Sequence, residues 1–198
     1  MSGRPRGVDD AVILRTAVEV MGREGPSKLT LALVAQEVGL VPGTLVQRFK
    51  SKRGLLLALA EHTARDTDAL HERVRTECDS PLKALEALAA EVWGAMATPE
   101  SFAHHLAFLC ADLGDPQFRE LAVHSQQTQT RTVTALLDHA VHTGELRPDT
   151  DTTTLATTVQ ATAVGAGLMW AIDQQDTLRQ RQRTALDTVL TPHRSTPC

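Results

Sequence analysis

The sequence predicts an all-α protein, a three-helix helix-turn-helix head on a larger helical bundle, about nine helices in total. Helix punctuation carries the first part of that prediction. Ser80-Pro81, Thr98-Pro99 and Asp115-Pro116 each pair a capping side chain with a proline suited to the first helical position. Gly25, Gly39, Gly114 and Gly144 supply the matching stops. The apolar residues carry the second part, since they recur at helical spacing and nowhere alternate as strands do. At 198 residues the chain can bury a core of its own.

Asp9 or Asp10 caps the first helix, whose Ile13, Ala17, Val20 and Met21 form a buried stripe ending at Gly25. Thr30 caps the second, because its hydroxyl can accept from an unpaired amide of the first turn. Leu31, Val34, Ala35 and Val38 then share one apolar face. Gly39 ends that helix, Leu40 fills the corner and Pro42 opens the third. There Leu45 and Phe49 form the buried face, and Gly43, Thr44, Val46, Gln47 and Arg48 form the other. A small residue at 35, the turn at Gly39 and Leu45 six positions on make the helix-turn-helix spacing. An ordinary helical hairpin shares some of these features. The small residues at the crossing and the short, cap-to-cap third helix argue against it.

Ser51 caps a fourth helix that carries Leu55, Leu56 and Leu59 and runs to about Arg75. Composition shifts along this helix. The expected division is a DNA-binding head over 1–55, with a disordered arm over 1–8, and a body over 56–198. The fifth helix buries Leu85, Leu88, Ala89, Val92 and Met96; the sixth carries Phe102, His105, Leu106, Leu109 and Leu113. The long seventh runs from Pro116 through Phe118, Leu121, Val133, Leu136, Leu137 and Ala140 to the stop at Gly144. Its polar run Gln126 to Thr130 interrupts the stripe and places some polar groups toward a cavity or toward solvent. The eighth, from about Thr152 to Gln174, is rich in Ala, Gly and Thr, a surface that lets another helix come close. That neighbour can belong to this chain or to a second copy. The ninth, from about Thr177 to Leu190, buries Leu178, Ala185, Leu186 and Val189, and the tail after Pro192 is expected to fray.

Charge is unevenly spread. Residues 1–65 hold ten Lys and Arg against six acids, within a chain of formal charge −4. A basic end on an acidic body suits a DNA-binding head more than a protein coating nucleic acid without sequence preference, which depends mainly on phosphate neutralisation. Cys78, Cys110 and Cys198 are scattered, as expected of a reduced, cytoplasmic protein. No signal peptide or unbroken apolar run of membrane-spanning length is evident.

Two rival classes remain, a helical-bundle enzyme or metal binder and a sequence-indifferent DNA-binding protein. The chain has no Gly-rich phosphate loop, no G-x-S-x-G, no H-E-x-x-H and no paired Glu-x-x-His. His104-His105 and His139 with His142 lack an acid or cysteine that would complete a ligand set. No catalytic residue, metal or cofactor is therefore expected.

Residues 13–59 resemble the N-terminal domain of the tetracycline-repressor (TetR) family of bacterial transcriptional regulators. The resemblance rests on Leu14, Ala17, Gly25, Thr30, Val34, Ala35, Gly39, Gly43, Thr44, Leu45, Phe49, Ser51, Lys52 and Leu55. Two positions depart from it. Val41 replaces the usual Ser or Thr cap of the recognition helix, and Val46 replaces a Tyr that donates to phosphate. The resemblance implies phosphate contacts from Thr30, Thr44 and Lys52. It also implies base-edge contacts from Pro42, Gly43 and Gln47, and a minor-groove reach by Arg4 or Arg6; Val46 would meet a thymine methyl or sugar. It implies a homodimer on a near-palindromic operator, paired through the last two helices, with Leu155, Val159, Ala163, Ala166, Leu186 and Val189 as candidates. Finally, it implies repression relieved by a small apolar or amphipathic effector. Candidate effector contacts are Trp93, Met96, Phe102, His105, Phe108, Leu109, Gln126, Thr130, Met169 and Trp170.

Overall fold

In the computed structural model, residues 8–92, 96 and 98–195 are described; Arg4, Arg6, Trp93 and Cys198 lie outside the described residues. Among these, nine α-helices and a short 3-10 helix form, with no strand. They are α1 (Asp10–Glu24), α2 (Leu31–Glu37), α3 (Pro42–Phe49), α4 (Lys52–Glu77), α5 (Pro81–Val92), α6 (Pro99–Asp112), α7 (Pro116–His142), α8 (Thr152–Asp173) and α9 (Leu178–Leu190).

The starts follow from the predicted caps. Asp9 accepts from the amide of Ala11, Thr30 from Leu33, Ser51 from Gly54, Thr98 from Ser101 and Asp115 from Gln117. Thr177 and Gln180 close a full capping box on α9, satisfying two orphan amide groups reciprocally. Asp151 caps α8, and the Thr154 hydroxyl, with that residue's amide, holds its carboxyl below the ordinary carboxylate range. After α9 the chain turns through Thr191–His193, and Leu146 pairs with Arg194 in an isolated antiparallel bridge. The tail therefore docks as far as Ser195, whose amide donates to the Glu145 carbonyl at 3.1 Å, rather than fraying from Pro192.

Two main cores result. One gathers Ile13, Ala17, Val20, Met21, Leu29, Val34, Ala35, Leu45, Phe49, Leu55 and Leu59 from α1 to the start of α4. The other gathers Val74 from the end of α4 with Leu85, Leu88, Leu136, Leu137, Leu155, Val159, Leu186 and Leu190. α4 thus belongs to both.

Two polar joints fix the head against the body. His104 on α6 donates from Nδ1 to the carbonyl of Gly22 at 2.8 Å, and its ring lies so close to Gly25 that an added Cβ there would meet it at 3.1 Å. Arg53 at the start of α4 forks onto Asp115 at 2.9–3.1 Å, donates to Gln117 and covers the Phe118 ring. That fork holds the Asp115 carboxyl below its ordinary value.

The inner face of α8 is used within the chain. Leu155, Val159, Ala163 and Leu186, expected to meet a partner copy, are buried at 4, 3, 7 and 2 % exposure in the chain's own packing, which corrects that expectation. Ala166 and Val189 are half-buried. The close approach that small residues allow is realised by Gly167, where an added Cβ would lie 2.4 Å from the Phe102 ring of α6. α8 is also the one helix among the described residues long and apolar enough to cross a membrane by length and composition. An unbroken apolar run is absent because threonines and Gln160, rather than charges, interrupt it. Its inner face packs against α6, α7 and α9, and 33 % of the apolar span is buried.

Candidate nucleic-acid interface

The exposed side of α3 is the candidate DNA-reading surface. Leu45 and Phe49 are buried, at 0 and 8 % exposure, and hold the helix to α1, α2 and α4. With that face fixed, Val41, Pro42, Gly43, Val46 and Gln47 all face solvent, Val41 at 70 %. Thr44 is half-buried beside them. The start of α3 has no side-chain cap. Its first amides are therefore left to whatever meets the helix end, and a helix N-terminus favours an anionic partner. Gly39 takes φ +69 as the turn requires, and the Leu40 amide donates back to the Ala35 carbonyl at 2.8 Å. These two features aim α3 away from α2.

Thr30 is exposed beside this surface. Its oxygen accepts from the Leu33 amide at 3.1 Å, so its hydroxyl proton remains for an outside acceptor. Lys52 is more committed than expected. Its ammonium donates to the carbonyls of Pro26 at 2.6 Å and Ser27 at 3.1 Å, tying α4 to the loop before α2. The charge remains near the surface while the hydrogen bonds are largely spent.

Arg48, placed by spacing on the outer face of α3, turns back instead. It donates to the Val8 carbonyl at 2.6 Å and to Asp10 at 2.8 Å, because its long stem spans the gap to α1 and finds an acidic partner there. Its role is to hold the chain entering α1.

Gly54 was not identified from sequence. An added Cβ would lie 2.0 Å from the Phe49 carbonyl oxygen, so the α3–α4 corner closes only over a glycine. A glycine inside a predicted helix is the signal that points to such an approach.

The candidate effector contacts do not gather in one place. Phe102 and Trp170 are buried against each other, edge to face with centroids 6.4 Å apart, and Met96 packs beside them. Phe108 meets Phe118 in the same manner at 6.4 Å, and His105 donates to the Ser101 carbonyl at 2.8 Å. Leu109 and Met169 are exposed, at 47 and 50 %. These side chains pin α6 to its neighbours rather than surround a void.

A cleft lies elsewhere, between α5, α7 and α8, with a volume of about 80 Å³. It is lined by Leu85, Leu88, Ala89, Val92, Gln126, Gln129, Val133, Val159, Gln160, Ala163, Val164 and Leu186. Of the expected contacts only Gln126 borders it; Thr130 lies just behind, 3.0 Å from Gln160 Oε1.

Comparison with known proteins agrees with this geometry. Residues 13–59 match the model for bacterial regulatory proteins of the tetR family, and residues 110–186 that for the tetracyclin repressor-like C-terminal domain. No curated protein matches in sequence. Among solved structures, a putative transcriptional regulator from Saccharomonospora viridis, in complex with choline, superposes with TM-score 0.76 at 18 % identity, over 94 % of this chain and 98 % of that one. SmeT, the repressor of the Stenotrophomonas maltophilia multidrug efflux pump SmeDEF, gives 0.70 at 20 %, over 96 and 92 %. The ketosteroid transcriptional regulator KstR2 of Mycobacterium tuberculosis gives 0.67 at 18 %, over 96 and 97 %. At these identities the structures speak for the fold. The two family matches, at both ends of a chain with the head, turn and bundle described above, place this protein in the TetR family of transcriptional regulators.

Proposed function

We propose that this protein is a ligand-responsive repressor that binds a near-palindromic operator as a homodimer, through a head over residues 1–55, and responds to a small molecule through a body over 56–198. The observation that carries the reading is the solvent face of α3. Five consecutive-turn positions, Val41, Pro42, Gly43, Val46 and Gln47, are exposed on a rigidly seated helix at the basic end of an acidic chain. Gln47 is suited to adenine, phosphate contacts fall to Thr30, Thr44 and the charge of Lys52, and Val46 offers apolar contact to a thymine methyl.

Dimerisation is assigned to the outward stripe of α8. Thr157, Ala161, Val164, Leu168 and Ile172 recur at helical spacing and are exposed, Ile172 at 68 %. An apolar line of this length is difficult to reconcile with free surface. Two copies joined there would present two α3 helices about 34 Å apart, one DNA turn. Effector binding in the body would then alter the head spacing; a coupling of about 1–3 kcal/mol, 5- to 150-fold in affinity, is typical of such systems.

The test is selection of bound fragments from genomic DNA, followed by competition with random DNA. Gln47→Ala should relax preference at one operator position, whereas Lys52→Ala should weaken all sequences alike. Equal loss on specific and random DNA for both variants would refute base reading by Gln47.

A further inference from the structure

The chemistry of the α5–α7–α8 cleft restricts what it can hold. Among the described residues its lining has no ionisable side chain. A charged ligand would meet no group of opposite sign there, so the hydration it gave up would not be replaced. The polar groups present are three glutamines. Gln126 Nε2 donates to Gln160 Oε1 at 3.1 Å, and the Thr130 hydroxyl lies 3.0 Å from the same oxygen. The oxygen of Gln160 is therefore occupied. Its Nε2 is buried and meets no acceptor from the protein. A buried amide donor left in that state is costly. A ligand oxygen would remove the cost.

We propose that the effector is an uncharged, mainly apolar molecule whose carbonyl-type oxygen accepts a hydrogen bond from Gln160 Nε2. This rests on the reading of the body as the effector-binding part. The cleft's volume is about 80 Å³, smaller than the roughly 150 Å³ of an apolar cavity that admits benzene. A ring-sized occupant must therefore spread α5 and α7 from α8. Both α5 and α7 pack on α4, whose first turns belong to the head core, so occupancy and head position are mechanically linked. A quaternary ammonium of the choline type is not the expected ligand, because nothing in this lining balances its charge.

The experiment uses the full chain and four compounds on one carbon frame: cyclohexanone, methylenecyclohexane, cyclohexanecarboxylate and cyclohexylammonium. Binding is followed by NMR, with the side-chain amide of Gln160 assigned from its loss in Gln160→Leu. Cyclohexanone is expected to bind about tenfold more tightly than the isosteric hydrocarbon and to shift the Gln160 amide signal; the two ions are expected not to bind there. Gln160→Leu fills the same space without the unpartnered amide; it also removes the acceptor of Gln126 and Thr130, so folding is checked by its thermal midpoint, and the folded variant should keep the hydrocarbon and lose the ketone's advantage. An ion that binds as well as the ketone overturns the proposal. So does an unmoved Gln160 signal, binding by none of the four, or a ketone preference that survives Gln160→Leu. DNA affinity is measured in parallel to separate the two readings. Neutral carbonyl ligands that occupy the cleft and leave DNA affinity unchanged would remove the effector reading while the cleft chemistry stands. An ionic compound that maps to the cleft and releases DNA would do the reverse.

Discussion

Gly54→Ala should destabilise the protein, although glycine-to-alanine inside a helix ordinarily does the opposite. In a free helix the change gains about 1 kcal/mol. Here the new Cβ would sit 2.0 Å from the Phe49 carbonyl oxygen, more than 1 Å inside ordinary contact distance. That oxygen belongs to backbone and already accepts from the Ser51 amide at 2.8 Å, so no side chain can swing aside. Relief requires α3 and α4 to part at their corner, and forced overpacking of this kind costs about 1–3 kcal/mol or more. The overlap is deep and is with backbone, so the upper part of that range applies, and after the propensity gain a net loss of about 1–2 kcal/mol or more is expected. Gly43→Ala is the internal control, because an added Cβ there meets nothing within 4 Å and should leave stability equal or slightly raised. Urea unfolding followed by circular dichroism reads both. Because α3 would be displaced from its seat, Gly54→Ala should also lose specific DNA binding at temperatures where it is still folded. Equal midpoints for the two variants would refute the close-approach argument.

Arg48→Ala should lower stability by about 1 kcal/mol, with faster amide exchange in the first turn of α1. It should leave the salt dependence of DNA binding unchanged, since this guanidinium faces Asp10 and the Val8 carbonyl; a salt slope reduced by about one would show that it contacts phosphate instead. Asp115 contributes to stability in a pH window of known sign. Its folded value is depressed, chiefly by Arg53, so the contribution is present above the unfolded carboxylate value of about 3.9 and is lost as pH falls through the folded value. Arg53→Ala should return the Asp115 titration, followed by carboxyl NMR, toward the ordinary value, and an unmoved titration would sink that assignment. Gln182, buried at 2 % exposure with an unpartnered Nε2, should accept leucine with a gain. Gln182→Leu is expected to raise the thermal midpoint by about 2–4 °C, and a fall would mean that the amide is satisfied.

The head was legible because its signals are local. Thr30, Gly39, Pro42 and Ser51 each act on backbone within four residues, and Ala35 with Leu45 closes the crossing; no distant partner is needed to read them. The partners of Arg48 and Lys52 are illegible for the same reason. Spacing fixes where a Cβ points but not where a long side chain ends, and both find acceptors 25 or more positions away. The body shows the limit more sharply. α8 carries two apolar sets at helical spacing, Leu155, Val159, Ala163 and Gly167 on one side and Ala161, Val164, Leu168 and Ile172 on the other. Periodicity says that each set lies on a face, but not which face belongs to this chain. The partners decide it: Phe102 lies against Gly167, and Leu155 and Val159 lie in the core with Leu85 and Leu186. The aromatic residues are as ambiguous, since residue type suits a ligand contact and a packing role alike; here Phe102 pairs edge to face with Trp170 and Phe108 with Phe118. The effector cleft was harder still, because its distinctive atom is Gln160 Nε2, one polar group whose meaning depends on Gln126 and Thr130 occupying the other end of the amide.

α4 explains how so small a cleft could matter to a surface so far away. Leu55 lies in the head core and Val74 in the body core, nineteen residues apart on one helix, about 28 Å at 1.5 Å per residue. A tilt of about 3° at one end displaces the other by about 1.5 Å over that length. The joints at His104 with Gly22 and Arg53 with Asp115 make the head follow such a movement, since each ties the head to α6 or to the start of α7. Spreading α5 and α7 therefore either carries the head along or breaks a joint. Loosening the Arg53 joint by Asp115→Asn should accordingly weaken the dependence of DNA affinity on cleft occupancy while leaving occupancy itself intact. A variant that keeps full DNA response without that joint would show that α4 and the His104 contact suffice to carry it.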